Sequence, residues 1–166
     1  MVCKFAVAGF TVLPNIGGWV GSLAVRNNYN TWYMTLNKPK WTPPKYAFAP
    51  IWTSLYCGMG YASYLVWKNG GGFDGEAALP LAVYGTQLAL NWAWTPIFFS
   101  CHSLKWSFVD ITLLSATAGY CAIAFYKIDK TAGLLMIPYL AWLGLASSLN
   151  YYIYKNNSEK EPEKSD

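Results

Sequence analysis

Charge is what this chain has least of. Only 12% of its 166 residues are charged, 12 Lys and Arg against 8 Asp and Glu, and there is a single histidine. An ordinary soluble domain carries about 25%, so an exterior solvated by water all round is excluded. Acids are scarcer still in the body of the chain, because Glu159, Glu161, Glu163 and Asp166 crowd into its end. The net charge of +4 is thinly spread, which excludes the basic footprint of a nucleic-acid-binding protein. Cys3, Cys57, Cys101 and Cys121 lie far apart with no C-x-x-C spacing, so neither a metal site nor a disulfide framework is expected. His102 sits in a turn and reads as solvated. A catalytic set would need acid, base or nucleophile partners at a common depth; none is found, and no catalytic residue or cofactor is expected. The first apolar stretch runs past Pro14 to Val25 without an A-x-A-like end, so no removable presequence is expected.

What the chain has instead is apolar and aromatic surface. Hydrophobic residues make up 54% and aromatics 18%, with 9 Trp and 13 Tyr. The mean hydropathy of +0.20 understates this, since Trp and Tyr score as polar while carrying large apolar rings. Five stretches are free of charge or nearly so: Phe5–Val25, Tyr46–Trp67, Ala77–Ser100, Trp106–Tyr126 and Thr131–Tyr154. As helices each would reach roughly 30–36 Å, enough to cross a bilayer core. A soluble bundle would show polar stripes at helical spacing, and these stretches show none. The expected fold is all-α, a five-transmembrane-helix bundle. Pro43 and Pro44 precede the second span and Pro80 opens the third, positions that a helix start tolerates. Pro14, Pro50 and Pro138 fall inside spans and predict kinks. Most linkers are short, which favours antiparallel neighbours. The exception is Arg26–Lys45, a long loop between helices 1 and 2 carrying Trp32, Tyr33 and Trp41; a loop of that length and composition is expected to be ordered against the bundle. Residues 4–155 form the expected transmembrane domain, and 156–166 read as a disordered cytosolic tail.

An odd number of spans puts the termini on opposite sides. Lys4, Lys68, Lys127 and Lys130 lie on the N-terminal side, and the other eight basic residues lie with the long loop and the C-terminus. The positive-inside tendency places that second side in the cytosol. Counted inward from there, Asp110 and Asn150 lie about 8 Å deep, Trp52 and Asn91 about 10–14 Å, and Tyr56 and Trp142 near mid-membrane. Four helices thus bring polar or flat groups into one half of the bilayer, while the opposite half reads as mainly aliphatic. Gln87 and Asn91 share a face with Trp94 one turn on, Trp52 pairs with Tyr56, Trp106 with Asp110, and Trp142 with Ala146 and Leu149/Asn150. Turned inward, these faces predict an aromatic-walled pocket closed by the long loop and suited to a flat, mostly apolar ligand. For Trp32, Trp41, Trp67 and Trp106 an interfacial belt is the simpler reading. For Trp52, Trp92, Trp94 and Trp142 helix packing and ligand contact are both open. Gln87 and Asn91 read as interhelical glue or ligand contacts, and Asp110 as a structural hydrogen-bond partner or a proton relay.

Three separated motifs carry a resemblance. Lys38-Pro39-Lys40-Trp41-Thr42-Pro43-Pro44 followed by Phe48-Ala49-Pro50-Ile51-Trp52, Leu90-Asn91-Trp92-Ala93-Trp94-Thr95-Pro96-Ile97-Phe98-Phe99, and Pro138-Tyr139-Leu140-Ala141-Trp142 with Leu149-Asn150 resemble the translocator protein / tryptophan-rich sensory protein family. The likeness runs from Gly9 to about Asn157. It implies a five-helix membrane receptor for sterols and tetrapyrroles that also takes benzodiazepine-type ligands. By motif, the implied ligand site comprises Ala49, Ile51 and Trp52, Asn91 and Trp94, Trp106, Asp110 and Leu113, and Trp142, Ala146 and Leu149, beside the Tyr56 read from helical spacing. The family's cholesterol motif falls on Leu149 to Lys155, with Leu149, Tyr151, Tyr152 and Lys155 as sterol contacts; such patterns recur by chance at span ends. Thr42 stands where mammalian members often carry His.

The resemblance further implies the mitochondrial outer membrane with a cytosolic C-terminus, in agreement with the charge count. Expected partners are cholesterol, a porphyrin such as protoporphyrin IX, the lipid bilayer and a second copy in a homodimer. Gly17-x-x-x-Gly21 or Gly85-x-x-x-Ala89 would supply the dimer face. The leading functional expectation is a receptor or translocator that handles cholesterol and tetrapyrroles. Its alternatives are light-dependent porphyrin breakdown and a ligand-regulated membrane scaffold.

Overall fold

The structure is a computed structural model, and it describes residues 2–157. The expected tail beyond Asn157 lies outside the described residues. Within them the chain is helical, without strands: α1 (Val2–Asn28), a 3-10 turn at Tyr33–Thr35, α2 (Lys45–Asn69), α3 (Ala78–Phe99), α4 (Leu104–Ile128), α5 (Lys130–Leu135) and α6 (Ile137–Asn156). The fifth expected span is thus two helices in series, and the whole is a five-span transmembrane bundle. By length and composition α1 from Phe5, α4 and the α5–α6 unit are apolar enough to cross a membrane. Helices α2 and α3 are long enough but carry more Tyr, Trp, Asn and Gln, of which Tyr56, Tyr64, Tyr84, Gln87 and Asn91 are buried inside the bundle.

Local chemistry sets the helix ends. Pro44, held in an extended conformation, immediately precedes α2, since proline before a helix costs no internal hydrogen bond. The chain leaves α2 through Gly71 and Gly72, with φ of +77° and +75°, a region that glycine enters without a Cβ penalty. Ser103 Oγ accepts from the Trp106 N–H at the start of α4. Asp129 Oδ1 accepts from the Ala132 N–H at the start of α5. Pro138 has no N–H to continue the helix, and the chain breaks at Met136 between α5 and α6.

Around the bundle α1 packs on α2 and on α3, α3 on α4, and α4 on α5 and α6; the ring closes mainly through α2 against α5, while α2 meets α6 only sparsely. Two side-chain links fix the antiparallel arrangement. Asn69 Nδ2 donates to Asp129 Oδ2 at 2.7 Å, joining the α2–α3 turn to the α4–α5 turn. Asn157 joins the long loop to the end of α6. The half of the bundle on the Asn69 side is solidly packed around Met59, Val66, Leu114, Phe125, Met136 and Tyr139. It is not mainly aliphatic, as its sequence implied. Phe10, Tyr64, Trp67 and Phe73 form a ring cluster there with centroids 5.7–6.5 Å apart.

Glycines on α1 and α2 allow close approach. A Cβ at Gly60 would collide with the Phe10 carbonyl, and one at Gly17 with the Trp92 indole; at Gly21 it would stand 3.3 Å from Thr95. The Gly17/Gly21 face is therefore packed against α3 of the same chain. Gly85 has open space beside it. A contrast follows: Gly60→Ala should cost about 1–3 kcal/mol through forced backbone shifts, whereas Gly85→Ala should leave stability unchanged or slightly raised. Thermal unfolding of the two variants in one detergent measures the difference.

Candidate functional site

A cavity of about 460 Å³ occupies the half of the bundle toward the long loop, enclosed by α1, α2, α3, α4, α6 and the loop itself. Its existence follows from the closure of the ring. Past Met136 the chain no longer follows α2, and aromatic rings bridge the gap. The Trp142 ring stands 5.7 Å from Phe48 and 6.3 Å from Trp52, the latter at 89° between planes. Trp52 in turn lies 5.3 Å from Tyr56. On the other wall Trp94 stacks on Phe98 at 4.8 Å and 14°.

Side-chain hydrogen bonds between helices hold these walls in place. Tyr56 Oη donates to Asn91 Oδ1 at 2.5 Å, Asn91 Nδ2 donates to Tyr139 Oη at 3.1 Å, and Tyr139 Oη donates to Gln87 Oε1 at 2.9 Å. This chain ties α2, α3 and α6 together beneath the cavity. A second set orients Trp94, whose Nε1 donates to Asn150 Oδ1 at 2.8 Å while Asn150 Nδ2 donates to Ser107 Oγ at 3.3 Å on α4. Trp92 turns the other way, its Nε1 donating to the Pro14 carbonyl at 3.2 Å. Buried polar groups are costly unless paired, so these bonds fix wall positions as firmly as packing does.

The loop closes the cavity from above. Helix α1 runs to Asn28, so the irregular connection is 29–44, shorter than the expected Arg26–Lys45. Tyr29, Tyr33 and Pro43 face the cavity. Lys45 Nζ sits over the Tyr29 ring at 4.0 Å and Lys38 Nζ over the Tyr33 ring at 4.6 Å. Burial, with Tyr29 as a smaller cause, pushes the Tyr33 hydroxyl up to about 12, so it stays protonated throughout the physiological range. Asn157 is the clasp: its Oδ1 accepts the Asn37 N–H at 2.7 Å and its Nδ2 donates to the Asn37 carbonyl at 2.9 Å. His102, with φ of +51°, is not simply solvated. Its ring packs against Trp32 at 4.3 Å with the planes tilted by 33°, and its Nε2 lies 3.2 Å from Asn28 Oδ1.

Of the residues singled out from sequence, Ala49, Trp52, Tyr56, Asn91, Trp94, Trp142, Ala146 and Leu149 line this cavity, and Ile51, Trp106, Asp110 and Leu113 do not. Trp106 (55% exposed) and Leu113 (53%) share the outward face of α4. Asp110 is buried at 7% exposure, with Oδ2 lacking a hydrogen-bond partner. Ile111 and Leu114 occupy the cavity wall on α4 instead. In the sterol motif Leu149 faces the cavity, while Tyr151 and Lys155 face outward and Tyr152 is half-buried. The four do not share a face. Helix α1 was missed altogether: Asn15, Gly18, Ser22 and Val25 line the cavity, and the signal was the small residues Gly17, Gly18, Gly21 and Ser22. Asn157 was missed because it read as tail. On α1, Trp19, Ser22 and Arg26, and on α2, Ala49 and Thr53, line the cavity while also being exposed. These helices pack closely at Gly60 and Gly18, and the exposed lining residues nearer the loop leave the cavity a sideways opening between them.

The fold and cavity define a class: a membrane-spanning helical bundle with a closed-over, aromatic, ligand-sized space in one half. Residues 10–155 match the TspO/MBR family, and the chain belongs to it. It is 46% identical over 149 residues to the Translocator protein of Sus scrofa and to that of Homo sapiens, covering 90% of this chain and 88% of each relative. It is also 37% identical over 141 residues to the Tryptophan-rich protein TspO of Archaeoglobus fulgidus, covering 85% of this chain and 90% of that protein.

The clasp is directly testable. Asn157→Ala removes the two bonds to Asn37, worth about 0.5–1.5 kcal/mol each, along with one to the Ile153 carbonyl, so amide exchange at Asn37 should accelerate about tenfold or more while the Gln87 and Asn91 amides keep their protection. Hydrogen exchange read by mass spectrometry measures both.

Proposed function

We propose that this protein is a receptor or translocator for flat, predominantly apolar guests of the sterol and tetrapyrrole class, cholesterol and protoporphyrin IX among them, with benzodiazepine-type ligands competing for the same cavity. The observation that carries the reading is the 460 Å³ cavity, walled by Trp52, Trp142 and Trp94 and held open by hydrogen bonds between its helices. Its volume falls within the roughly 300–1,000 Å³ of small-molecule sites, and planar rings offer a porphyrin stacking surface. Arg26 and Lys45 at the rim, with no acid among the lining residues, favour a guest with its carboxylates toward the loop. Sterol would lie on the outer face along Tyr151, Tyr152 and Lys155, with its hydroxyl at the interface. The charge count and the family's implied location support the mitochondrial outer membrane with the loop and C-terminus in the cytosol. A homodimer through the open Gly85 face is compatible with this placement.

Equilibrium titration of the purified full chain, read by Trp fluorescence, tests the assignment. Protoporphyrin IX and cholesterol should both bind at micromolar level or better. Trp52→Ala and Trp142→Ala should each weaken porphyrin about tenfold, combining lost stacking with lost apolar area. Tyr151→Ser with Lys155→Gln should weaken sterol and spare porphyrin. Absence of any binding by both guests would end the proposal. The Trp52–Trp142 pair also brings two oxidisable indoles to one wall; under illumination the receptor reading expects the bound-porphyrin spectrum to persist, and its loss in the wild type but not in a Trp52→Phe, Trp142→Phe variant would favour light-dependent breakdown.

A further inference from the structure

On the opposite half of the bundle the lipid-facing surface has a re-entrant corner. The end of α4 and the short α5 meet there so closely that a Cβ at Gly133 would collide with Tyr126. Past Met136 the chain turns away into α6. The corner left between them is a groove of about 340 Å³, lined by Ala122, Ile123, Tyr126, Leu134 and Ile137, with Lys127 at its edge. It is rigid by construction, because Asp129 caps α5 and is tied to Asn69, and because the Gly133 contact leaves no slack.

Lys127, which lines the groove in the last turn of α4, is exposed, and so is Lys130 three residues on, in the first turn of α5. Lys127 complements the α4 dipole, but Lys130 opposes that of α5, so helix stability does not account for it. The carboxylate between them is occupied, one oxygen by the Ala132 N–H and the other by Asn69. Among the described residues neither ammonium is paired with a carboxylate. In a membrane this groove is filled by lipid tails, and basic groups at the mouth of such a pocket select anionic headgroups. We propose that the corner binds one anionic glycerophospholipid, with an acyl chain in the groove and its phosphate between Lys127 and Lys130. The site is independent of the cavity and of its guests.

Native mass spectrometry of the full chain, released from mixed micelles of phosphatidylglycerol and phosphatidylcholine, tests this. One phosphatidylglycerol should remain bound, with a preference over phosphatidylcholine on the order of tenfold. Lys127→Gln with Lys130→Gln should bring the preference close to parity. Ile123→Trp, which fills the groove, should reduce retention with both lysines present. Both lysines are exposed, so the double variant decides the question even if the tryptophan variant melts early. Equal retention of the two lipids by the wild type overturns the proposal, as does an undiminished preference in the double lysine variant. Retention only in paired chains would assign the groove to a second copy and overturn it as well.

Discussion

Inside a bilayer every backbone amide and carbonyl must find its partner within the protein, and the prolines decide where this chain has to find one. Pro14 leaves the Phe10 carbonyl without its helical donor, and that carbonyl lies against Gly60, a point where α1 and α2 approach closely. Pro138 interrupts the fifth span near Met136. The first proline therefore sits where the bundle is clamped, the second where it is released. With α5 following α2 and α6 leaving it, one half of the molecule closes into a solid core while the other keeps a space. The cavity is thus a consequence of backbone chemistry before it is one of side-chain choice.

Side chains then make the space specific. A gap among helices would collapse if its walls were only aliphatic, since dispersion contacts reward filling. The Tyr56–Asn91–Tyr139–Gln87 chain resists this because each member would lose a buried hydrogen bond on moving. Trp94 is held in the same way through Asn150 and Ser107. The indoles that face the cavity are therefore rigid surfaces, and Trp92, which donates to Pro14, serves packing instead. The split between ligand wall and structural brace among the deep tryptophans, open in the sequence, is thereby drawn by where each indole N–H goes.

The five spans, the ordered loop and the half of the bundle that holds the cavity were legible, because each rests on a pattern of many residues: runs of uncharged helix length, aromatics in a linker, and polar positions counted from span ends; the aromatic content of the other half was not. Individual rotations were less so. Trp106 and Leu113 share a helical face with each other, but periodicity alone does not say which face of a uniformly apolar helix turns inward. Lipid outside and protein inside look alike to Leu and Trp, and α4 presents Ile111 and Leu114 to the cavity instead. The contribution of α1 was hidden for a related reason: Gly18 lines the space by being small, and small residues read first as helix contacts. Asn157 escaped notice because one amide side chain making a two-way bond to a distant backbone leaves no periodic trace.

The sideways opening between α1 and α2 beneath the loop has a consequence for measurement. A guest that enters through that seam arrives from the hydrocarbon phase, so the concentration the cavity senses is the guest's concentration in lipid and not in buffer. Apparent affinity would then contain the guest's partition coefficient. Two compounds with identical contacts to Trp52 and Trp142 would rank differently in a thin micelle and in a thick bilayer, and only values corrected to mole fraction in the membrane would compare the cavity with itself.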